Sequence, residues 1–347
     1  MAPSPRPPTA VLAAWGFGPG TTATRLTSGL INLSYHVQEG PRQVALQRLH
    51  PIFDARVNLD IDAITSHLEA RGICTPRPVR TRHGELSFEE QSGSWRALRW
   101  IDGRVHERVE SESLAGECGR LAGRFHAGLQ GLVHVFEFRR PGAHDLTRHL
   151  DGLSRALSEF RAHPAHAAVH DLATQIVARA TELPPAPPLP RRIVHGDLKI
   201  TNLLFDPAER GLAVIDLDTL AHGRMDVELG DALRSWCNPG GEDDAHALFD
   251  AKLFAAALSG FRRGAGGLLL PAEAAAVTSA TERISIELAS RFARDALEER
   301  RFGWDRRRFE SRSAHNLQRA RGQLCLAASI HGQRATLEAI ARDALAG

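Results

Sequence analysis

The chain has 347 residues and a formal net charge of +2; 43% of its residues are hydrophobic and 24% are charged. This composition excludes a wholly disordered chain, and its length predicts two or three domains. The small net charge gives no global reason to bind nucleic acid or a membrane surface. No apolar run approaches the roughly 20 residues needed to span a bilayer. We therefore expect a globular protein without nucleic-acid or membrane partners.

The four cysteines are far apart and form no Cys-x-x-Cys pair: Cys74, Cys118, Cys237 and Cys325. This spacing predicts reduced thiols in a cytoplasmic protein and no structural zinc site. Residues 1–9 are rich in proline, which predicts a disordered tail. The apolar stretch that follows is too short for a secretory signal.

Lysine is rare in this chain. Of the 43 basic residues, only Lys199 and Lys252 are lysines, and the others are arginines. Any role that requires a lysine can therefore be filled at only two positions.

The first hundred residues have the pattern of strands and turns. A short helix is predicted at 10–16, and residues 24–37 predict two strands joined by a turn at Ser28-Gly29. A third strand is predicted at 43–49. Apolar residues at helical spacing predict a helix over 57–68, with Gly72 as its stop. Two further strands are predicted, at 84–89 and 94–101, so this part reads as a small α+β lobe over residues 10–102.

After residue 105 the pattern becomes helical. Helices are predicted at about 114–129, 145–160 and 166–182, and the first contains small residues that allow close packing. A proline-rich connector at 184–190 precedes a short strand-rich stretch. Beyond 245 nearly everything is helical, with a break around 264–271. The sequence therefore predicts an α+β fold, with a small antiparallel sheet in the first lobe and a larger, mostly helical lobe over residues 103–347.

The strand-rich stretch carries most of the candidate chemistry. Polar residues lie between two apolar runs at 193–205, and a further apolar run ends in two carboxylates. A strand–loop–strand hairpin brings Asp197, Asn202 and Asp216 to one edge. Phosphoryl transfer needs this set: a carboxylate that accepts the proton of the attacking hydroxyl, and an amide and a second carboxylate that hold Mg²⁺.

Three further residues complete the predicted centre. Lys199 supplies a cation that stabilises charge on the transferred phosphoryl group. His195 is expected to support the loop rather than to transfer a proton. Asp218 either binds a second ion or orients the loop.

The order His-x-Asp-x-Lys-x-x-Asn, followed by a strand-borne Asp, resembles the catalytic and metal-binding loops of the kinase fold. Protein kinases share part of this loop, but the chain lacks their Gly-x-Gly-x-x-Gly, Asp-Phe-Gly and Ala-Pro-Glu motifs. The long helical connection after 105 and the helical end of the chain resemble the aminoglycoside phosphotransferase and choline kinase superfamily. That resemblance implies a two-lobed, protein-kinase-like fold, with ATP as co-substrate and Mg²⁺ as cofactor.

Within that superfamily the sequence most resembles the N-acetylhexosamine 1-kinases. The likeness extends over most of the chain and is carried by these segments: Gly29-Leu-Ile-Asn-Leu-Ser-Tyr35, Leu46-Gln47, Val57-Asn58-Leu59, Asp197 to Asn202, Ile215-Asp-Leu-Asp-Thr219, Gly230-Asp-Ala-Leu-Arg234 and His315-Asn-Leu-x-Arg319. It implies an acceptor of the N-acetylglucosamine or N-acetylgalactosamine type, phosphorylated at its anomeric hydroxyl.

One feature departs from most kinases, which hold the nucleotide phosphates with a lysine on the third strand. Residues 1–198 contain no lysine, and the third strand carries Gln47 and Arg48, which alternation places on opposite faces. The resembling sugar kinases also carry glutamine there. The residues expected at the nucleotide are Gly29, Asn32, Gln47, Arg48, Trp100 and Ile101.

The acceptor side is expected to involve Asp231 and Arg234, just beyond the metal loop, and Asn316 and Arg319 near the end of the chain. Alternatively, Asp231 is only a carboxylate near the start of a helix, where acidic residues are common. The eight arginines between 298 and 321 alternate with acidic residues, which favours a solvated, ion-paired helix face over a nucleic-acid site.

Several alternatives stay open at this point. The acceptor could instead be an aminoglycoside, an amino alcohol such as choline or homoserine, or another sugar. The missing third-strand lysine also allows a nucleotide-binding protein that has lost catalysis. Neither the choice between ATP and GTP nor that between monomer and homodimer follows from the sequence.

Overall fold

The structure is a computed structural model that describes residues 6–26, 32–138 and 144–345. Gly29, which we expect near the nucleotide, lies outside these ranges. The chain forms a strand-rich N-terminal lobe and a mostly helical C-terminal lobe.

The N-terminal lobe is built on a six-stranded antiparallel sheet. Its strands run in the order β1-β2-β3-β6-β4, and β5 pairs with another part of β6. The bounds are β1 Thr22–Arg25, β2 Leu33–Glu39, β3 Arg42–Arg48, β4 Pro78–Val79, β5 Phe88–Glu90 and β6 Gly93–Arg99. In the register of β3 with β6, Gln47 lies opposite Arg96.

Two helices cover this sheet. Helix α1 (Thr9–Ala14) packs Val11 and Leu12 against the buried side chains of the strands, and helix α2 spans Val57–Glu69. Arg6 donates to the carbonyl of Thr21, so the described end of the predicted tail lies against the sheet.

The sequence analysis missed β4 and began β5 too early. The backbone folds into a turn at 81–85, where the Thr81 N–H donates to the Glu85 carbonyl and the Glu85 N–H donates to the Thr81 hydroxyl. A local turn of this kind satisfies backbone groups that a strand would pair with its neighbour.

The chain crosses between the lobes at residues 100–103. Arg104 and Phe205 then exchange two backbone hydrogen bonds, each 2.9 Å long. A Cβ atom on Gly103 would lie only 3.1 Å from the Phe205 carbonyl oxygen, so the crossing passes close to the C-terminal lobe.

The C-terminal lobe has eight long helices and two small two-stranded sheets in its described residues. The helices are α3 Glu112–Gly128, α4 Leu146–Glu159, α5 His166–Thr181, α6 Met225–Trp236, α7 Ala251–Ala265, α8 Pro271–Glu298, α9 Arg312–Gly332 and α10 Arg334–Leu345. The strands are β7 Arg192–Val194, β8 Leu203–Phe205, β9 Gly211–Val214 and β10 Ala221–Gly223; β8 pairs with β9 and β7 with β10.

Helices α3 and α7 pack unusually closely. A Cβ atom on Gly119 would lie 1.9 Å from the Ala257 carbonyl oxygen, and one on Gly260 would lie 2.0 Å from that of Gly116. The small residues predicted to allow close packing in α3 therefore do so. A second core joins α4, α5, α8 and α9.

The α+β prediction, with a small antiparallel sheet and a larger helical part, is confirmed. All four cysteines are described and none forms a disulfide. In the described ranges, every helix is too short or too polar to cross a bilayer.

Candidate active site

Two loops of the C-terminal lobe meet at one edge of its small sheets. Residues 195–202 connect β7 to β8, and residues 215–220 connect β9 to β10. After their predicted roles we call them the catalytic loop and the metal loop. The Ile215 N–H donates to the Asn202 carbonyl over 2.9 Å, which joins the loops at their bases. The predicted hairpin geometry is therefore present, and it brings Asp197, Asn202 and Asp216 to the same edge.

Asp197 is held as a carboxylate by its neighbours. Lys199 Nζ lies 2.8 Å from its Oδ2, and the Asn202 amide donates to the same oxygen over 3.2 Å and to the Asp197 carbonyl over 2.8 Å. Burial, the largest single effect, acts to raise the pKa of Asp197, but the charge and hydrogen bond of Lys199, together with smaller effects of other positive groups nearby, outweigh burial and the pKa lies below its usual range. An ionised carboxylate can accept a proton from a hydroxyl group.

Lys199 remains a cation. Burial acts to lower its pKa, yet the carboxylates of Asp197 and Asp216 outweigh burial and raise it. The Lys199 and Asp197 side chains are each 27% exposed, so solvent and a substrate can reach the pair.

His195 is fully buried and supports the loop. Its Nδ1 accepts the N–H of Asp197 over 3.2 Å, and its Nε2 lies 2.9 Å from the Ile215 carbonyl. Since Nδ1 accepts, Nε2 carries the proton and donates to Ile215. Both ring nitrogens bind backbone groups of the two loops; these contacts are consistent with the supporting role expected for this histidine, which stays a prediction.

Glu228, on α6, is a supporting residue that the sequence analysis missed. Its two carboxylate oxygens accept the N–H groups of His195 and Gly196 over 2.7 and 2.9 Å. His126 Nε2 lies 3.1 Å from Oε1, the oxygen that accepts the His195 N–H. The signal in the sequence was a second carboxylate one turn before Asp231, near the start of the same helix.

Gly196 has no room for a side chain. Its φ is +80°, and a Cβ atom would lie 2.7 Å from the Thr219 carbonyl oxygen. The catalytic and metal loops are therefore in backbone contact here.

Asp216 lies at a strained position of the metal loop, with φ 62° and ψ 58°. Burial, followed by the charges of Asp218 and Asp197, raises its pKa to about 6. A divalent cation would relieve this crowding of negative charge. The Asn202 amide nitrogen donates to Asp197, so its carbonyl oxygen is the atom that can face a cation.

This donor set fits Mg²⁺, which keeps several waters and takes few protein ligands. Among the described residues, no three His, Cys, Asp or Glu side chains form a metal cage. A site of one carboxylate and one amide is consistent with that finding, since a magnesium ion would complete its shell with water and nucleotide oxygens.

Asp218 is turned toward the N-terminal lobe. Both of its oxygens bind the guanidinium of Arg96, with one contact of 2.9 Å, and Asn32 Nδ2 lies 2.6 Å from Oδ2. Of the two roles predicted for Asp218, this placement matches the orienting role. Arg96 was not anticipated, although a charged residue inside the apolar run at 95–98 was a usable signal.

Both ends of the Gln47 amide are engaged within the lobe. Its Oε1 accepts two bonds from Arg96 and its Nε2 donates to the Ser34 hydroxyl. Arg48, the next residue along β3, is half-buried on the opposite face, as strand alternation requires. Their expected nucleotide contacts stay predictions.

At the crossing between the lobes, Trp100 and Ile101 are half-buried. Trp100 stacks on His36 with ring centroids 3.9 Å apart, and its Nε1 donates to Asp102 over 2.8 Å. Trp100 is therefore not part of the core, and the expected adenine contact is untested.

Asp231 and Arg234 form a buried ion pair of 3.1 Å on α6. The charge of Arg234 reaches Asp197, where it adds a smaller lowering of the pKa to that of Lys199, against the raising effect of burial. His144 lies beside this pair and contacts Glu287 of α8 at 3.3 Å. A group of mixed charge thus borders Asp197 on the side where we expect the acceptor.

The two α9 residues expected at the acceptor are engaged elsewhere. Asn316 is fully buried and donates to Asp295 over 2.9 Å. Arg319 Nε donates to Asp243 over 2.8 Å. Asn316 thus contacts helix α8 and Arg319 contacts the loop between α6 and α7, and their role toward an acceptor stays a prediction.

The geometry agrees with the comparisons to known proteins. A sequence profile described as "Phosphotransferase enzyme family" matches residues 22–266. The chain is 30% identical over 185 residues to a homoserine kinase of Pseudomonas aeruginosa (strain LESB58), covering 49% of this chain and 51% of that protein. The chain thus spans about half the length of the curated relatives it matches.

Similar solved structures share the fold over nearly the whole chain. The amicoumacin kinase hAmiN, in complex with AMP-PNP and Ca²⁺, has a TM-score of 0.62 at 17% identity, covering 91% of each chain. A choline/ethanolamine kinase family protein from Mesorhizobium loti has a TM-score of 0.55 at 19% identity, covering 96% of this chain and 95% of its own. The kinase-like fold and the superfamily resemblance are confirmed, and the finer likeness to N-acetylhexosamine 1-kinases stays a prediction. This chain belongs to the phosphotransferase enzyme family.

Proposed function

We propose that this protein is an ATP-dependent kinase that transfers the γ-phosphoryl group to a hydroxyl of a small molecule. The observation that carries the proposal is the Asp197 carboxylate, ion-paired with Lys199 at 2.8 Å and placed at the same edge as Asn202 and Asp216. A protein that only bound nucleotide would not need a partly exposed, ionised carboxylate at this position.

Each group has a part in the transfer. The acceptor oxygen forms a bond to the γ-phosphorus, its proton passes to Asp197, and the bond from the γ-phosphorus to the bridging oxygen breaks so that ADP leaves with the electron pair. Lys199 stabilises negative charge near the transferring group. Asn202 and Asp216 would hold Mg²⁺, which neutralises charge on the nucleotide phosphates when it is bound.

For the acceptor, we propose an N-acetylhexosamine-type sugar. The support is the set of sequence segments that resemble that group of kinases, from the first hairpin to His315-Asn-Leu-x-Arg319 near the end of the chain. Homoserine is the second candidate, favoured by the 30% identity with homoserine kinases. The buried Asp231–Arg234 pair near Asp197 also offers opposite charges that suit the ammonium and carboxylate of an amino acid.

The experiment is phosphorylation of an acceptor panel with ATP and Mg²⁺. The panel contains N-acetylhexosamines, other sugars, homoserine, choline and aminoglycosides, and an Asp197→Asn variant serves as control. Turnover confined to N-acetylhexosamines and lost in the variant supports the full proposal. Turnover of homoserine or another acceptor supports the kinase activity but contradicts the sugar as acceptor. ATP binding without turnover of any acceptor contradicts the kinase proposal.

A further inference from the structure

Arg96 is a buried arginine whose hydrogen-bonding capacity is fully used. Its side chain is 1% exposed. Nε and Nη2 donate to Gln47 over 2.9 and 2.7 Å, Nη1 donates to Asn58 over 3.3 Å, and Nη1 and Nη2 both donate to Asp218. A guanidinium has five N–H donors, and these five contacts account for all of them.

These contacts connect the two lobes. Gln47 belongs to β3 and Asn58 to α2, both in the N-terminal lobe, whereas Asp218 belongs to the metal loop of the C-terminal lobe. Asn32, just before β2, adds a second N-terminal contact to Asp218 at 2.6 Å. The sheet, α2 and the metal loop are therefore joined at one guanidinium.

A buried ion pair of this kind is not explained by stability alone. Removing two charges from water costs about as much free energy as their attraction returns, so well-packed apolar residues would serve folding as well. The planar fork of arginine, in contrast, fixes the position and orientation of a carboxylate in a way that a point charge does not. The network is thus better suited to placing Asp218 than to strengthening the fold.

The position of Arg96 is also informative. The N-terminal lobe contains no lysine, and β3 carries Gln47 where kinases carry the phosphate-binding lysine. Arg96 lies directly opposite Gln47 in the strand register and is bonded to it. At this point of the sheet the fully buried cation therefore lies on β6, opposite Gln47 of β3.

We propose that Arg96 is a positioning residue that lies where the third-strand lysine would be but acts on Asp218 and not on the phosphates: it clamps Asp218 across the lobe junction and so sets the metal loop for the nucleotide. Asp216, two residues earlier, is the residue that this clamp places. The inference rests on the proposed function, because its role is to align that active site.

The test compares three variants with a matched control. Arg96→Met removes the charge and keeps much of the length, and Arg96→Lys keeps the charge without the fork. The double variant Gln47→Lys/Arg96→Met moves the cation to β3. The control is Arg99→Met on the same strand, whose half-exposed side chain pairs with Glu69 within the N-terminal lobe.

Three quantities are measured for each variant: kcat, the KM for the acceptor, and the dissociation constant for AMP-PNP with Mg²⁺. We expect Arg96→Met to lower kcat about 100-fold, the size of effect that a misplaced group produces, with little change in acceptor KM. We expect AMP-PNP to bind more weakly. Arg96→Lys should lower kcat about 10-fold. The double variant Gln47→Lys/Arg96→Met should have a kcat at least about 10-fold higher than that of Arg96→Met.

Unfolding in the absence of nucleotide gives a readout that does not depend on turnover. Arg96→Met, Asp218→Asn and the combined variant form a double-mutant cycle, which should show a non-additive effect because the two side chains are in contact. If Arg96→Met does not fold, Arg96→Lys becomes the deciding variant.

Wild-type kcat and AMP-PNP affinity in Arg96→Met, or in Arg96→Lys where that variant decides, would overturn the inference. Equal losses of kcat in Arg96→Met and in Gln47→Lys/Arg96→Met would also overturn it, because they would indicate that the charge of Arg96 does not matter and that only its packing does. A wild-type enzyme without turnover would contradict the proposed function alone, and the AMP-PNP affinities with the unfolding cycle would still decide the role of Arg96.

Discussion

Lys199 Nζ lies 2.8 Å from Asp197 Oδ2, in a catalytic loop where no other lysine is available. The pair keeps the carboxylate ionised and places a positive charge two residues from the base. Lys199 is one of two lysines in the chain, and we predict that its role is one that arginine does not fill.

Replacing Lys199 by methionine should lower kcat by about 10²–10³-fold, because one preorganised group that stabilises transition-state charge is lost. The matched control is Lys252→Met, which removes the chain's other lysine from the exposed start of α7 and should leave kcat unchanged. Steady-state kinetics of both variants check this. Equal kcat values for the two variants would contradict the role of Lys199.

Gly196→Ala should disrupt the catalytic loop for two reasons. The residue has φ +80°, and the new Cβ would lie 2.7 Å from the Thr219 carbonyl oxygen. We expect a loss of about 1–3 kcal/mol in unfolding free energy, together with most of the activity. Gly84→Ala is the control, because Gly84 has φ +87° but nothing within 4 Å of the added atom. Denaturant unfolding should show the smaller loss for Gly84→Ala, and equal losses would show that the contact with the metal loop is unimportant.

Glu228→Gln tests the support of the catalytic loop from α6. The amide can accept only one of the two N–H groups that Glu228 now accepts, so a buried donor loses its partner, at a cost of about 1–3 kcal/mol. We expect kcat to fall with stability. The control is Asp226→Asn, on the same helix as Glu228, which breaks the ion pair of Asp226 with Arg224. It should lower stability without a comparable loss of kcat. Similar kcat in both variants would argue against the bracing role.

The stability of the protein should depend on pH through His144. Burial opposes its protonated form, but Glu287 and, to a smaller extent, Asp231 outweigh burial and the repulsion of Arg291, and the pKa rises to about 9. Because His144 binds its proton more tightly in the folded state, its protonation stabilises the fold. This stabilisation is complete below the ordinary histidine pKa of about 6.5 and is lost as the pH rises through 9. The amount is at most about 3 kcal/mol, from the size of the shift.

Denaturant unfolding between pH 6 and pH 9.5 measures this dependence. His144→Gln should flatten the fall in unfolding free energy over that interval. His170→Gln, which removes an exposed histidine of α5, should keep the wild-type slope. A wild-type slope in His144→Gln would contradict the assignment.

The sequence predicted the parts of this structure that depend on local patterns. The helices followed from apolar spacing, and the alternation in β3 correctly separated Gln47 from Arg48. The two loops followed from polar residues between apolar strands, because a hairpin must bring the ends of its strands together. Close packing of α3 followed from its glycines and alanines, where a single Cβ atom would meet backbone.

Residues that act through long-range contacts were not predictable in this way. Arg96 meets Asp218 across 122 positions of the chain, and Glu228 meets His195 across 33. A buried charge inside an apolar strand signals that a partner exists without saying where it lies. Asn316 lies fully buried and donates to Asp295, a contact 21 positions away that the sequence motif did not indicate, and its expected role toward an acceptor stays a prediction.

The most direct test of the account is single-turnover transfer of the γ-phosphoryl group to the preferred acceptor, with wild-type protein and Asp197→Asn at saturating Mg²⁺. The account predicts that the variant binds AMP-PNP as tightly as the wild type but transfers phosphate at least about 100-fold more slowly, because only the proton acceptor is lost. Transfer at the wild-type rate by Asp197→Asn would contradict the assignment of Asp197 as the base and, with it, the proposed chemistry of the site.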